Sequence, residues 1–292
     1  MFRVAVTSCA KVQDVAPQPA WAEIQVTKPD LLLLLGDNIY LGHDQHQNPI
    51  TLAAELRDRY VKQFAEPGFS ALLADLHARG KDVLAIYDDH DFLGNNRYGG
   101  DHDPALREAA RTEFVRAFSP KRTGADVYGM HHLGLVDVVV LDERFYRTHP
   151  TPASGDRDAI LGAAQWTWFE QQVAQSSAPY LIVASSTTLH TFGDESWEQY
   201  PGAFRRIVHL LKDKVGALVL SGDVHRNAVY DDSGVIEIVT SAVARRGIVF
   251  GAERRNYCIL SFENDAVHIE LKSLKVGWRF DFSIPRSRWV LP

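Results

Sequence analysis

The stretch LLLLLGDNIY, residues 31–40, decides the architecture. Five consecutive leucines without polar alternation predict a strand over Leu31–Leu35 that is buried on both faces. Such a strand lies inside a sheet covered on both sides. Gly36 and Asp37 close it, so a carboxylate falls beyond the strand's carboxyl end, where open α/β sheets place their ligands. Working outward, aliphatic runs predict further strands over Phe2–Thr7, Val83–Tyr87, Leu135–Leu141, Tyr180–Ala184 and Ala217–Ser221. Apolar residues at helical spacing predict helices over Ala20–Val26, Leu52–Phe64, Ala105–Phe118, Gln165–Ala174 and Phe204–Lys212. Beyond residue 225 the pattern changes. Val235–Val239, Tyr257–Phe262, Val267–Leu271 and Trp278–Ser283 read as antiparallel strands, with turn signals at Asp231-Asp232-Ser233-Gly234 and Glu263-Asn264-Asp265. The pattern implies a sheet-on-sheet core with helices outside, as one domain over residues 1–292.

Composition narrows the function classes. Thirty-one basic and thirty-seven acidic residues give a net charge of −6, which argues against bulk nucleic-acid binding but not against a local basic pocket. No apolar run approaches the ~20 residues of a membrane helix. Two cysteines, Cys9 and Cys258, exclude a disulfide framework. The N-terminus reads as a first strand rather than a signal peptide, so a cytoplasmic location is expected, with export left open if the chain is trimmed. Oligomeric state is not legible. Five connections are long, over Gly42–Pro49, Gly94–Asp103, Thr148–Asp158, Gly193–Pro201 and Arg245–Asn256. Long ordered loops often carry function.

The carboxylates cluster at strand ends. The predicted strands run into Asp37, into Asp88-Asp89-His90-Asp91, into Asp142, and into Gly222-Asp223 followed by His225. Four strands thus aim acids and imidazole at one region, and such a cluster repels itself unless a cation neutralises it. Oxygen and imidazole donors suit Mn, Fe, Zn, Mg or Ca. Each element has a plainer reading: Asp37 as a turn former, Asp142 as a partner of Arg144 and Arg147, His225 as a structural imidazole. The conjunction carries the metal reading. Cys9 ends the first strand at the same edge, either as a packed thiol or as a thiolate ligand. Cys258 reads as core. Tyr40 follows Asp37 by three residues and can turn back to the same ion as a phenolate, which favours ferric iron. His43, His46, His131, His132 and His190 could line a pocket. Neither a GxSxG elbow nor a Walker loop is present.

Read together, Ser8-Cys9, LLLLLGDNIY (31–40), YDDHDFLGNN (87–96), LDERFYR (141–147), LGAAQWTWF (161–169) and SGDVH (221–225) resemble the PhoD-like alkaline phosphatases, within the calcineurin-like metallophosphoesterase superfamily. The resemblance implies a four-layer α/β/β/α sandwich with two metal ions. It implies that Asp37 bridges both ions and that Cys9 stands where related enzymes have an aspartate. By the same resemblance Tyr40 and His225 would complete an iron-like site. The resemblance further implies that Asp89 and Asp223 bind the second ion, a divalent Ca, Mn, Zn or Mg. His90 is the implied catalytic residue, and Asn95 the implied ligand of metal or phosphate. Against the family pattern, no metal-binding His follows Leu181–Ala184, and neither the extra N-terminal domain of many members nor a C-terminal shielding helix is expected from this sequence.

The expected activity is metal-dependent hydrolysis of phosphate esters, mono- or diesters, by a metal-held hydroxide. His90, oriented by Asp88 or Asp91, serves the leaving oxygen, and Arg144 clamps phosphate. Arg245, Arg246, Arg254 and Arg255 read as solvated arginines or as sites for further phosphates. The alternative is a metal-binding or regulatory protein on the same fold without turnover. Joint retention of Asp37, Asp89, His90, Asp223 and His225 argues against that.

Overall fold

A computed structural model describes residues 1–42, 47–118, 127–149, 156–190, 195–231, 233–246, 253–273 and 280–292. His43, His46, Asp232 and Trp278, singled out in the sequence, lie outside the described residues. In chain order the elements are β1 (Phe2–Thr7), α1 (Ala20–Val26), β2 (Leu31–Leu35), α2 (Pro49–Phe64), α3 (Pro67–Ala78) and β3 (Asp82–Ile86). Next come α4 (Pro104–Phe118), β4 (Gly129–His132), β5 (Val136–Val140), α5 (Gly162–Gln175), β6 (Tyr180–Ala184) and α6 (Pro201–Leu211). The remainder is β7 (Ala217–Ser221), β8 (Asn227–Tyr230), β9 (Ile236–Thr240), β10 (Arg245–Arg246), β11 (Glu253–Arg254), β12 (Tyr257–Phe262), β13 (Ala266–Lys272) and β14 (Phe280–Pro285).

Two six-stranded sheets form, in the orders β14-β13-β12-β1-β2-β3 and β4-β5-β6-β7-β9-β8, with β10 and β11 as a separate ribbon. β1, β2 and β3 pair in parallel, with Val6 beside Leu33 and Leu33 beside Leu84. The central strands are buried on both faces, as the leucine run predicts. Val6, Leu33 and Ile86 of the first sheet meet Val138, Ile182 and Leu220 of the second in a fully buried inter-sheet core. The outward face of the first sheet is covered by α1–α4 through Trp21, Leu56, Leu72 and Phe114. That of the second is covered by α5 and α6 through Trp166, Phe169, Ile207 and Leu211. The result is the anticipated four-layer α/β/β/α sandwich.

Three differences from the sequence reading have physical reasons. α3 is not among the helices expected from the sequence. Here Pro67 opens the helix and the Glu66 carboxylate accepts the Phe69 amide at 2.7 Å, a starting signal. β9 runs parallel to β7 and antiparallel only to β8, so the antiparallel expectation holds for β12–β14 alone. The edge strands β4 and β8 are partly exposed and lack an aliphatic run.

Candidate metal centre

Each strand end delivers one part of the centre. β1 leads into Ser8 and Cys9, β2 into Gly36 and Asp37, β3 into Asp88, Asp89 and His90, and β7 into Asp223 and His225. The first three are neighbours in one sheet and the fourth belongs to the other, so the residues gather where the two sheets' edges meet. The approach is close: a Cβ on Gly222 would lie 2.7 Å from Ser8 Oγ and 2.9 Å from the Leu35 carbonyl oxygen. The backbone is strained there. Cys9, Asp37, Asp223 and His225 have φ of 59°, 51°, 64° and 53°, a left-handed region that side chains avoid unless the surroundings impose it.

The donor atoms converge on Asp37. Its Oδ2 accepts from Tyr40 Oη at 2.8 Å and from Cys9 Sγ at 3.4 Å. Tyr40 Oη lies 3.2 Å from His225 Nε2, and Cys9 Sγ lies 3.1 Å from Ser241 Oγ. Among the described residues four sets have ligand atoms within 4.8 Å of one another, and three of them share Asp37: Cys9, Asp37 and His225; Asp37, Asp88, Asp89 and Asp223; Asp37, Asp89 and His90. The fourth, His268, Glu270 and Asp281, lies on β13 and the edge strand β14. The His90 ring lies against Tyr40 with centroids 4.2 Å apart and the planes tilted by 36°, and its backbone amide donates to Asp89 Oδ1 at 2.6 Å.

Electrostatics show what the cluster lacks. Burial, then Cys9 and the carboxylates of Asp89, Asp88 and Asp91, push Asp37 well above the usual carboxylate range. Burial, then Asp88 and Asp89, do the same to Asp223. Burial raises the Cys9 thiol to about 11, and it raises Tyr40 well above an ordinary phenol with Asp37 adding to the effect. Burial lowers His225 to about 4 and also lowers His90. For Asp89, burial is outweighed by Arg144, His90 and the Asn96 amide, which hold it low. Asp88 Oδ2 is buried without a hydrogen-bond partner. Buried acids thus crowd one another here, and an orphaned carboxylate oxygen lies among the other donors. This mixed oxygen, sulfur and nitrogen set fits metal ions.

The structure therefore brings together Cys9, Asp37, Tyr40, Asp89, His90, Asp223 and His225. Asn95 stands apart, exposed, with Nδ2 donating to Asn96 Oδ1 at 2.9 Å, while the Asn96 amide reaches Asp89 Oδ2 at 2.6 Å. Arg144 is corrected more strongly. Its guanidinium is fully buried, bonded through Nε to Asp88 Oδ1 at 2.6 Å and through both Nη atoms to Glu195 at 2.9 and 2.8 Å. It holds Asp88 from behind, and a phosphate clamp would need it free. Asp142 accepts from Tyr87 Oη and from the Arg144 and Phe145 amides, so it pins a turn and neither binds the cluster nor pairs with the two guanidinium groups. Asp91 accepts the Asn38 and Asp88 amides. Among the described residues neither Asp88 nor Asp91 hydrogen-bonds the His90 ring. His132 and His190 pair with Asp137 and Glu237. Cys258 is core, as its sequence context implies. The sequence reading misses Asp88 as a donor, although it sits in the Asp88–Asp91 run. It also misses Ser241 and Glu195, which only the folded chain brings near.

A four-layer sandwich with a buried, shared-carboxylate donor cluster at the joint of its sheets is the architecture of a metallophosphoesterase. The chain belongs to the PhoD-like phosphatase family, whose model matches residues 4–271. It is similar in fold to a solved structure of PhoD (TM-score 0.73, 18% identity, covering 98% of this chain and 70% of that one). A dimetal phosphatase from Danio rerio is similar at TM-score 0.59 and 12% identity, covering 98% and 99% of the two chains. GAP50, the anchor in the inner membrane complex of Plasmodium, is similar at TM-score 0.60 and 14% identity, covering 97% and 89%. No curated protein sequence matches the chain. Among the described residues no helix is long and apolar enough to cross a membrane.

Proposed function

We propose that this chain hydrolyses phosphate esters at two metal ions that share Asp37, and that residues 1–292 act as one metallophosphatase domain. The observation that carries the reading is that one buried carboxylate belongs to two donor sets of different chemistry. Cys9, Tyr40 and His225 lie on one side and suit ferric iron, because thiolate and phenolate stabilise the trivalent state. Asp89 and Asp223, with the free oxygen of Asp88, lie on the other and suit a hard divalent ion. When bound, such a pair lowers the pKa of water and neutralises phosphoryl charge. The chain's own groups do the rest. Tyr40 packs against the His90 ring and limits its orientation, and His90 presents a proton to the leaving oxygen. Burial, by lowering the pKa of His90, makes its protonated form a stronger acid. Arg144 balances Asp88, and Asn95 at the rim is available to the substrate.

The test combines metal analysis with turnover of p-nitrophenyl phosphate and bis-p-nitrophenyl phosphate, with Fe, Mn, Zn or Ca added. About two ions per chain and turnover of at least one ester are expected, both lost in Asp37→Asn. Stoichiometric metal without turnover of any ester would support the regulatory reading. Absence of both metal and activity would remove the proposal altogether.

A further inference from the structure

The ribbon of β10 and β11 leaves and re-enters the fold beside the metal centre. Its first root follows β9 through Ser241, Ala242 and Ala244, and Ala10 bridges Ala244. The Lys11 amide donates to the Ala244 carbonyl at 2.9 Å, and the Asn256 amide closes the second root on the Ala242 carbonyl at 3.0 Å. Arg245 stands directly opposite Arg254 in this ribbon. Like charges at directly paired positions repel, so the pair is unfavourable unless an anion faces it.

These cations lie against residues of the centre. The Arg245 guanidinium lies 4.7 Å from the centroid of the Tyr40 ring, and Lys11 Nζ lies 5.5 Å from it. Arg254 Nη1 donates to the His225 carbonyl at 2.6 Å. His90, Asp223 and His225 are the half-buried members of the centre, and Arg245 acts electrostatically on the two histidines. Lys11 and Arg245 share one counter-charge, Asp14, which sits 3.1 Å from Lys11 Nζ. Arg245 Nε is buried and without an acceptor. Among the described residues Asp14 is thus the carboxylate paired with Lys11 and Arg245, while Arg254 is held by a backbone carbonyl.

We propose that Lys11, Arg245 and Arg254 form an anion subsite beside the metal centre, which selects phosphate esters whose substituent carries a further negative charge. This rests on the phosphoesterase reading and names its substrate class. The second anion lies between the two ribbon arginines and relieves their repulsion, while the scissile phosphate lies at the metal cluster. The rival account is that these cations merely offset the carboxylates of the cluster. That account predicts no discrimination between ligands.

The test uses metal-loaded protein and two non-hydrolysable probes, phenylphosphonate and 4-carboxyphenylphosphonate, with Kd measured by calorimetry. The kcat/KM of the matching aryl phosphates is compared in parallel. The carboxylated probe should bind about 5- to 10-fold more tightly, the scale of one charge-assisted contact. That ratio should fall toward unity in Arg245→Met, in Arg254→Met, and in wild type at 0.5 M salt. Equal binding of the two probes to wild type, or a ratio untouched by both substitutions, would overturn the subsite. Failure of metal-loaded protein to bind either probe or cleave either ester would overturn the phosphoesterase reading itself.

Discussion

Tyr40 is the residue on which the two halves of the centre turn. Its hydroxyl reaches Asp37 and His225, while its ring carries His90 on one contact and Arg245 on another. If the Cys9 side holds ferric iron, the phenolate and thiolate donate charge to it and the protein is coloured. Tyr40→Phe should then shift or bleach the visible band without unfolding the chain. An active, fully metallated but colourless wild type would refute the ferric assignment. His90→Ala should lower kcat about 10²–10⁴-fold with metal content near normal, and the loss should shrink for good leaving groups. Loss of one metal equivalent in that variant would instead make His90 a ligand. Glu143 supports a third prediction. It is fully buried, and burial pushes its carboxyl up to about 7 against the opposing effect of Arg147. Ser185 Oγ lies 2.5 Å from both Glu143 Oε1 and the Thr187 carbonyl, and it has one proton to give. A protonated Glu143 donates to Ser185, which then donates to Thr187. The folded pKa is raised, so this stability is present at low pH and is lost as pH rises through about 7. Glu143→Gln keeps the donor at every pH. Relative to wild type, its unfolding free energy should rise by up to about 3 kcal/mol between pH 5 and pH 8. A parallel pH dependence in the two proteins would show that Glu143 does not titrate there.

At the scale of elements, the strand ends make the site readable. An aliphatic run buried on both faces has a definite end, and the residues just beyond that end lie at one edge of the sheet. Asp37, Asp89 and His225 are therefore legible from β2, β3 and β7 alone. Legibility fails where proximity is created by the fold. Ser241 reaches Cys9 only because β9 returns beside β7, and Glu195 reaches Arg144 across 51 residues of chain. Sequence alone does not say which carboxylates Arg144 meets, so a buried charge partner looks like a phosphate clamp. The same strand ends depend on Gly36. Its φ is +93°, and a Cβ there would lie 2.5 Å from Asp88 Cβ. Gly36→Ala should cost about 2–4 kcal/mol in urea unfolding, backbone strain and overpacking together, and should lower metal content by displacing Asp88. Gly134→Ala is the control. It shares the positive φ, at +79°, but meets nothing within 4 Å, so it should cost only about 1 kcal/mol and leave metal content intact. Equal losses in the two variants would mean that crowding against Asp88 has no part.

Across the whole molecule, the centre is clamped between two sheets whose shared core is apolar. Cys9, Asp37 and Asp89 come from one sheet, Asp223 and His225 from the other. On the proposed reading, metal ions binding both sets would tie the halves together and stabilise the folded state by mass action. Protons oppose them, because the ligands bind metal in their deprotonated forms. In metal-free protein Asp37 and Asp223 are raised above their ordinary range, so their contribution is favourable at low pH and is lost as pH rises. Chelation should thus be mild at pH 5.5, where protons already occupy the cluster. At pH 8 it should be severe, because stripping the ions leaves several buried acids to repel one another. A single site held at 100 times its Kd supplies about 2.7 kcal/mol, so the pH 8 drop in Tm should be on the order of 5–10 °C. Differential scanning calorimetry with and without chelator at the two pH values makes the comparison. An equal drop at both, or none at pH 8, would mean that the carboxylate cluster does not couple metal binding to the stability of this fold.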